Sequence, residues 1–383
     1  MPRLIFALVM SLHGLIHLLG FVKAWNIAPV EQLSGTTLVP LSEGLTKSVG
    51  VLWLAAFIGF STAVAAFFFK REWWWVVGLC ALVLSQVLVV LYWKDAWAGT
   101  IANLIILPVL VVSAASSSFT TGVETEVRAL LASAIAPDRE VLTPEKVEGL
   151  PSCVKRWLHR SGAVGKMLIH TARLKQHGSM RTSPNGSWME FEAEQYVTVE
   201  KPGFIWTTAV QVAPLLYLAG RDRYEDGRAH MLIKFLSLIP VADSRGRETD
   251  QGSLVRYLAE MIWYPSSVVS SYVRWEEIDS ASARATMSYG GIAASGVFRF
   301  NADGDVTAFE AQRYREVDRK FSMETWSIAM KDCREFNGIT VPSVSEVAWK
   351  LPVGDFTWLR LEVTDLEYNR RDLCPRQSGH FPP

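Results

Sequence analysis

The hydrophobic pattern of the chain changes abruptly near Ser118. Before that point, four long apolar stretches with few charged residues occupy residues 4–25, 49–69, 73–93 and 98–117. Each stretch approaches the roughly 20 residues that an α-helix needs to cross the hydrocarbon of a bilayer. Tryptophans and tyrosines lie near the ends of these stretches, as in the aromatic belts of membrane interfaces. The pattern predicts an all-α transmembrane bundle of four helices in residues 1–118.

Two shorter helices are predicted after this region. Residues 122–135 place apolar side chains on one side of a helix, and a second helix follows Pro151 and stops at Ser161-Gly162. We expect these helices to form a linker over residues 119–163, between the membrane region and the remainder of the chain.

Alternation with a period of two residues then dominates. In residues 188–199, Glu190, Glu192 and Glu194 alternate with apolar side chains, which predicts a half-buried strand. The same period predicts strands at residues 167–180, 204–212, 215–224, 230–238, 283–289, 296–300, 306–317, 322–334, 344–350 and 357–368. Turn signals such as Asp226-Gly227 and Asn337-Gly338 separate them.

One helix interrupts these strands. Residues 251–263 carry an apolar stripe at helical spacing, and Asp250 is the expected N-cap. Arg256 and Glu260 lie one turn apart on this helix, so we expect them to meet polar strand residues such as Asp222 or Arg313. The predicted fold of residues 164–370 is therefore an α+β domain with a large curved antiparallel sheet, a half-barrel wrapped on one or more helices. A flexible tail is expected in residues 371–383.

Charge and cysteine content restrict the possible partners and the location of the protein. The chain carries 38 basic and 38 acidic residues without a basic stripe, which argues against nucleic acid as a partner. Cys153, Cys333 and Cys374 are odd in number and irregularly spaced, which fits neither a disulfide framework nor a zinc site. Together with Lys70 and Arg71 between the second and third stretches, they favour a multi-pass membrane protein with a cytoplasmic C-terminal domain. No cofactor and no metal are expected.

Four short phrases carry a resemblance to a known family. They are HGLIHLLG at residues 13–20, WKDA and GTIAN at residues 93–96 and 99–103, and LVRYLAEM at residues 254–261. These phrases resemble an uncharacterised bacterial membrane-protein family with a domain of unknown function, over nearly the whole chain. The resemblance implies a location in the bacterial plasma (inner) membrane and no activity. More distantly, the predicted curved sheet and DCREFNGITVP at residues 332–342 are similar to LolA-type lipoprotein carriers. That similarity implies a half-barrel that holds acyl chains in an apolar concavity.

The membrane region holds the first candidate site. His13 and His17 share one face of the first helix, and Asn103 lies in the fourth. Ionisable side chains at this depth are costly, so they are functional candidates for metal or haem ligation or for proton relay. The alternative, which we favour, is that neutral imidazoles bond to Ser85, Gln86 or Asn103 and hold the bundle together.

The sheet domain holds the second candidate site. The favoured hypothesis is a membrane-anchored binding module for a lipid-like or other hydrophobic ligand in the concavity of the curved sheet. The candidate ligand-binding residues are Trp188, Trp206, Asp222, Arg256, Glu260, Trp263 and Arg313. One alternative is an enzyme that acts on a membrane-derived substrate with Asp222, Glu260 and an arginine; another is a scaffold for a membrane-protein partner. No catalytic residue is assigned, because the sequence has no nucleophile elbow, P-loop, dinucleotide fingerprint or metalloprotease helix. The expected partners are the lipid bilayer and a hydrophobic small molecule.

Overall fold

The chain divides into two compact units. The computed structural model describes residues 2–135, 140–318 and 320–374. The first unit is Met1–Phe119 and the second is Thr120–Pro382. The boundary coincides with the change in hydrophobic pattern near Ser118.

The first unit is built from helices. They are α1 (Pro2–Ala24), α2 (Glu43–Phe68), α3 (Trp74–Leu91), the short α4 (Trp93–Ala96) and α5 (Gly99–Ser133). By length and composition, α1, α2, α3 and α5 are long and apolar enough to cross a membrane. Leu4, Ile16 and Leu104 expose 62%, 60% and 62% of their surface, which is costly in water and favourable in lipid.

Helix α5 runs through a region for which two helices were predicted. The prediction of a separate helix at residues 122–135 was wrong, because α5 continues without a break to Ser133. The small residues Ser116, Ser117, Ser118, Thr120 and Thr121 are weak helix formers, but none of them blocks a helix as proline does. On the part of α5 that belongs to the second unit, Glu126 pairs with Arg221 of the sheet at 3.1 Å.

The described residues of the second unit form thirteen strands and three further α-helices. The helices are α6 (Pro144–Val147), α7 (Ser152–Arg160) and α8 (Arg247–Glu260). The strands are β1 (Thr171–Met180), β2 (Met189–Thr198), β3 (Gly203–Ala213), β4 (Leu216–Glu225), β5 (Arg228–Phe235), β6 (Ile239–Arg245), β7 (Val273–Asp279), β8 (Ser282–Tyr289), β9 (Ile292–Phe300), β10 (Val306–Val317), β11 (Lys320–Phe336), β12 (Ile339–Leu351) and β13 (Gly354–Tyr368).

All thirteen strands form one antiparallel sheet. Its order is β6-β5-β4-β3-β2-β1-β13-β12-β11-β10-β9-β8-β7, so β1 and β13 pair at its centre. The sheet curls around α8, which contacts β4, β5 and β6 from one arm and β8, β9 and β10 from the other. The predicted α+β fold with a curved antiparallel half-barrel is confirmed.

The two arms of the sheet meet at the turns between β4 and β5 and between β8 and β9. Gly227 and Gly290 have positive φ angles of 76° and 60°. A Cβ atom on Gly227 would lie 2.5 Å from the Cα of Gly290, so only glycine allows this approach. Ser244 of β6 also donates to Glu316 of β10 at 2.5 Å. The curl is therefore fixed by contacts between the arms as well as by α8.

One hydrophobic core joins the sheet to its helices. Trp157 and Leu158 of α7, Leu254 and Leu258 of α8, and Phe309 of β10 belong to the same buried cluster. Each such side chain contributes roughly 1.5–3 kcal/mol when it leaves water. The helix predicted after Pro151 thus packs into the core of the sheet unit.

Several boundaries differ from the prediction. Helix α8 begins at Arg247 after Gly246, so the prediction of Asp250 as N-cap was wrong. Asp250 lies inside the first turn, where its carboxylate accepts from the backbone N–H of Ala229 at 2.6 Å. The helix ends at Glu260, and 3-10 turns follow at Met261–Trp263 and Pro265–Val269.

Strands β6 and β7 were not predicted. They are the two edges of the sheet, and most of their residues are exposed or half-buried. An edge strand with no buried face has no alternation to detect. It tolerates Pro240, which lies opposite Lys234, because this residue is on an edge strand next to a register shift. Of the tail predicted at residues 371–383, positions 375–383 lie outside the described residues. Cys374 itself is buried, and its backbone N–H donates to the hydroxyl of Tyr196 at 3.0 Å.

Candidate functional site

The face of the sheet that is turned toward α8, called the concave face below, carries most of the candidate residues. Gln195 of β2 lies opposite Trp206 of β3, and Trp206 lies opposite Asp222 of β4. Directly opposite residues share a face, so these three side chains form one row across the sheet. Arg256 and Glu260 reach the same row from α8.

Four of these side chains form what we call the ionic cluster: Gln195, Asp222, Arg256 and Glu260. Arg256 bonds to Asp222 at 2.9 Å through Nη1 and to Glu260 at 2.6 Å through Nε. Gln195 donates to Glu260 at 2.5 Å and accepts from Arg256 at 3.1 Å. The guanidinium of Arg256 also lies 5.0 Å from the ring centroid of Trp206.

Burial affects this cluster unevenly. Glu260 is 8% exposed, whereas the side chain of Asp222 is 25% exposed. Burial raises the pKa of Asp222, and the positive charges of Arg256 and Arg313 oppose that shift. Both carboxylates are engaged by Arg256, so neither is free to act as a general base without breaking an ion pair.

Arg313 of β10 lies beside the ionic cluster without joining it. Its Nε donates to the backbone carbonyl of Gly252 on α8 at 3.0 Å, and its guanidinium lies 4.5 Å from the ring centroid of Trp326. Glu324 is its partner in the strand register, yet no carboxylate of the described residues comes within 4.0 Å of Arg313 to form an ion pair. Burial and the charge of Arg256 lower the pKa of Arg313 to about 10. Arg313 thus carries a positive charge in surroundings that disfavour it.

Arg315 and the indole N–H of Trp326 complete this region, and Arg315 was not predicted. Arg315 follows Arg313 at strand spacing, and its guanidinium lies 6.0 Å from the ring of Trp349 and 5.8 Å from that of Phe356. Trp326 is 4% exposed, and its indole Nε1 has no protein partner among the described residues. The alternation in β10 could have identified Arg315, because it shares a face with Arg313.

An apolar strip continues the concave face beyond the ionic cluster. Phe191 and Val210 are buried there, and partly exposed side chains pack around them. We define the strip as Met180, Phe191, Trp206, Val210, Leu359 and Leu361. Phe191 and Val210 belong to a cluster separate from the main core, although Trp206, Leu359 and Leu361 pack against both clusters. The strip lies on β1, β2, β3 and β13, whereas α8 mainly contacts the strands of the two arms, β4 to β6 and β8 to β10.

The structure places two of the seven candidates elsewhere. Trp188 lies between the guanidinium groups of Arg181 and Arg360, at 4.6 and 4.5 Å from its ring. Trp263 is 3% exposed and donates to the carbonyl of Pro342 at 3.0 Å, which makes it a core residue. The other five, Trp206, Asp222, Arg256, Glu260 and Arg313, come together on the concave face.

The candidates of the first unit form a separate group. His13 Nε2 donates to Asn103 Oδ1 at 2.9 Å and lies 3.1 Å from Ser85 Oγ. Asn103 donates in turn to Ser85 at 3.1 Å and to Gln86 at 3.0 Å. We call His13, Ser85, Gln86 and Asn103 the neutral polar cluster. His17 does not join it, because its Nδ1 donates to the carbonyl of His13 at 2.8 Å.

No metal centre is formed by the part of the chain that the structure describes. Within residues 2–135, 140–318 and 320–374, no three histidine, cysteine, aspartate or glutamate side chains converge as metal ligands. The four cysteines are free thiols.

Comparison with known proteins identifies a family but no activity. A model for a family of unknown function (DUF6544) matches residues 140–361. Solved structures that are similar to this chain include a LolA superfamily protein from Nitrosomonas europaea. The two sequences are 8% identical, the match covers 58% of this chain and 94% of that chain, and the TM-score is 0.33. Another is a DUF1329 family protein from Desulfovibrio piger, which is 9% identical in sequence. The match covers 60% of this chain and 94% of that chain, and the TM-score is 0.27. No curated protein matches the chain.

Proposed function

The chain belongs to the family of unknown function DUF6544, and we propose that its sheet unit binds an amphiphile with an acidic head group on the concave face. In this proposal, the four apolar helices anchor the protein in a membrane, from which such a ligand is available.

The observation that carries the proposal is the unpaired charge of Arg313. A partly buried guanidinium is normally paired with a carboxylate, and here Arg256 takes both Asp222 and Glu260. A carboxylate or phosphate of a ligand would supply the missing partner and form two parallel hydrogen bonds with the guanidinium. The free N–H of Trp326 offers a further donor next to it.

The apolar strip is the proposed binding surface for the hydrocarbon chain of the ligand. Met180, Leu359 and Leu361 are partly exposed around the buried Phe191, so a hydrocarbon chain laid along them would remove apolar surface from water. A ligand with its acidic end at Arg313 and its chain on the strip would match both features of the concave face. The same geometry disfavours the enzyme alternative, because both candidate carboxylates are held by Arg256.

Binding of a matched pair of lipids tests the proposal. The full chain in nanodiscs would be titrated with cis-parinaric acid, a fluorescent fatty acid, and with its methyl ester, against empty nanodiscs. We expect Arg313→Gln to weaken binding of the acid about tenfold or more and to leave the ester unchanged, since a charged hydrogen bond contributes roughly 1.5–3 kcal/mol.

Arg274→Gln is the matched control, because Arg274 pairs only with Glu276 among the residues that the structure describes, and its side chain is 79% exposed. This variant should bind both lipids as the parent does. The proposal is wrong if Arg313→Gln binds the acid as tightly as the parent, or if the parent takes up no more acid than empty nanodiscs.

We also propose that the sheet unit faces the cytoplasm. Lys70 and Arg71, between α2 and α3, support this orientation through the excess of basic residues in cytoplasmic loops. A reporter that is active only in the periplasm, fused after Pro383, should give no signal. Activity of that reporter would reverse the orientation and leave the ligand proposal untouched.

A further inference from the structure

The four-helix unit contains a partly open cavity of its own, independent of the concave face. Its volume is about 320 Å³, and its lining is mostly apolar, with Leu19, Trp53, Val89 and Ala102 among the residues. Packed protein interiors rarely leave voids larger than a water molecule. An apolar cavity of about 150 Å³ is already large enough to hold benzene, and ligand pockets begin at roughly 300 Å³. The cavity is therefore large enough for a small organic molecule.

His17 lines this cavity and has an unused hydrogen-bonding atom. The residue is 1% exposed, and its Nδ1 bonds to the carbonyl oxygen of His13 at 2.8 Å. A carbonyl oxygen only accepts, so Nδ1 carries the proton, and Nε2 of the neutral ring is an acceptor. That Nε2 atom has no protein partner among the described residues. A buried acceptor without a partner is unfavourable, and a ligand donor would satisfy it.

The charged side chains of the lining are already engaged. Lys23 donates to the carbonyl of Val30 at 3.2 Å. Asp95 accepts from the hydroxyl of Ser34 at 2.8 Å and from the backbone N–H of Gly35 at 2.7 Å. These bonds hold the loop between α1 and α2 against the cavity. Because both charged groups of the lining already have protein partners, an uncharged ligand is favoured, and Nε2 of His17 is a buried acceptor of the lining that such a ligand can satisfy.

Aromatic rings form the wall beside His17. The ring of Trp53 lies 5.2 Å from that of His17 and 5.7 Å from that of Tyr92. Trp53 packs against Gly20, where a Cβ atom would lie 2.5 Å from its ring, so glycine at this position sets how far the indole enters the bundle. Aromatic walls favour flat rings through offset or edge-to-face contacts.

We propose that this cavity binds an uncharged molecule with a phenolic ring, whose hydroxyl donates a hydrogen bond to Nε2 of His17. The cavity volume and the rings of Trp53 and Tyr92 favour an aromatic ring in the ligand. The unpartnered Nε2 of His17 favours a hydroxyl group on that ring. A free phenol and the head group of a membrane quinol share this chemistry. The proposal does not depend on ligand binding by the sheet unit.

Binding of 2-naphthol and naphthalene to the full chain in nanodiscs tests the proposal, with empty nanodiscs to subtract partition into lipid. The two probes have nearly the same shape and differ in the hydroxyl donor. The parent protein should bind 2-naphthol about tenfold more tightly than naphthalene, the effect expected of one additional hydrogen bond. His17→Phe, which keeps a ring but removes the acceptor, should bind both probes equally, at the affinity of naphthalene.

Two variants of α5 provide the independent check, in case His17→Phe does not assemble. Ala102→Leu adds volume to a residue of the lining and should abolish binding of both probes. Leu104→Phe changes a residue of the same helix that is 62% exposed, and it should bind both probes as the parent does. The proposal is overturned if His17→Phe keeps the preference for 2-naphthol, if Ala102→Leu binds as the parent does, or if the parent binds no more than empty nanodiscs.

A third probe distinguishes the two sources of the phenolic ring. A hydroquinone with a decyl chain should bind more tightly than 2-naphthol if the natural ligand is a membrane quinol, because the chain can extend from the cavity into lipid. Equal or weaker binding of this probe assigns the cavity to a free phenol.

Discussion

The two units bury polar side chains in different chemical forms. In the four-helix unit, the neutral polar cluster joins His13, Ser85, Gln86 and Asn103 without a formal charge in the bonds between them. In the sheet unit, the ionic cluster joins Arg256 to the carboxylates of Asp222 and Glu260. Removal of an ion from water costs far more than removal of an amide, and the cost is greatest in the hydrocarbon of a membrane. The partly exposed concave face tolerates charge, because water still reaches Asp222 and Arg256.

The two units also show a difference between polar groups whose hydrogen bonds and ion pairs are complete and polar groups that lack a partner. In each unit, most polar atoms bond to one another and so support the packing of helices or strands. Beside each cluster lies a group whose bonding capacity the described residues do not fill: Arg313, which has no carboxylate partner, next to the ionic cluster, and Nε2 of His17 next to the neutral polar cluster. A group whose bonding capacity exceeds what the protein supplies is a better candidate for ligand contact than a member of a completed network.

The largest expected effect is the loss of stability on Glu260→Ala. This change removes one of the two carboxylates of Arg256 and leaves the amide of Gln195 without its acceptor. Because Glu260 is 8% exposed, we expect a loss of about 3 kcal/mol in the free energy of unfolding. Urea unfolding of the full chain in detergent, followed by tryptophan fluorescence, measures it.

Glu276→Ala is the control for this change. Glu276 pairs with Arg274, and its side chain is 47% exposed, so the loss should stay within about 0.5 kcal/mol. Equal losses in the two variants would mean that water solvates the ionic cluster, and the contrast with the neutral polar cluster would disappear.

Parts of this network could be predicted from the sequence, and parts could not. The spacing of Arg256 and Glu260 predicted a charged helix face, and Asp222 is one of the strand partners that the alternation suggested. These inferences use local periods of 3.6 and 2 residues, which the sequence displays directly. Gln195 was not identified, because its place opposite Trp206 depends on which strands pair. Pairing of β1 with β13 joins residues almost 200 positions apart, and no local period encodes it.

A smaller effect is expected in the four-helix unit from Asn103→Ala. The change removes the acceptor of His13 and the donor to Ser85 and Gln86. Hydrogen bonds between helices in a membrane contribute about 0.6 kcal/mol on average and up to about 1.7 kcal/mol, so we expect a loss of about 1 kcal/mol. Thermal unfolding of the full chain in detergent provides the measurement.

Ser113→Ala provides the comparison on the same helix. The hydroxyl of Ser113 bonds to the carbonyl of Val109 within α5, so its removal breaks no contact between helices. It should leave the midpoint of unfolding unchanged. A loss for Asn103→Ala no larger than that for Ser113→Ala would show that the neutral polar cluster does not hold the bundle together.

The smallest expected effect on stability is that of Arg313→Gln. The change removes a partly buried positive charge that has no carboxylate partner among the described residues, and the nearby charge of Arg256 lowers the pKa of Arg313 together with burial. It also removes one hydrogen bond to the carbonyl of Gly252 and the contact with the ring of Trp326. The two effects oppose each other, so the free energy of unfolding should stay within about 1 kcal/mol of the parent.

A charge kept for ligand contact contributes little to the stability of the unliganded fold, and its removal often leaves stability unchanged or raises it. Urea unfolding of the two variants, Arg313→Gln and Glu260→Ala, without added lipid measures the change in the free energy of unfolding. If Arg313→Gln loses as much stability as Glu260→Ala, Arg313 is a structural member of the ionic cluster.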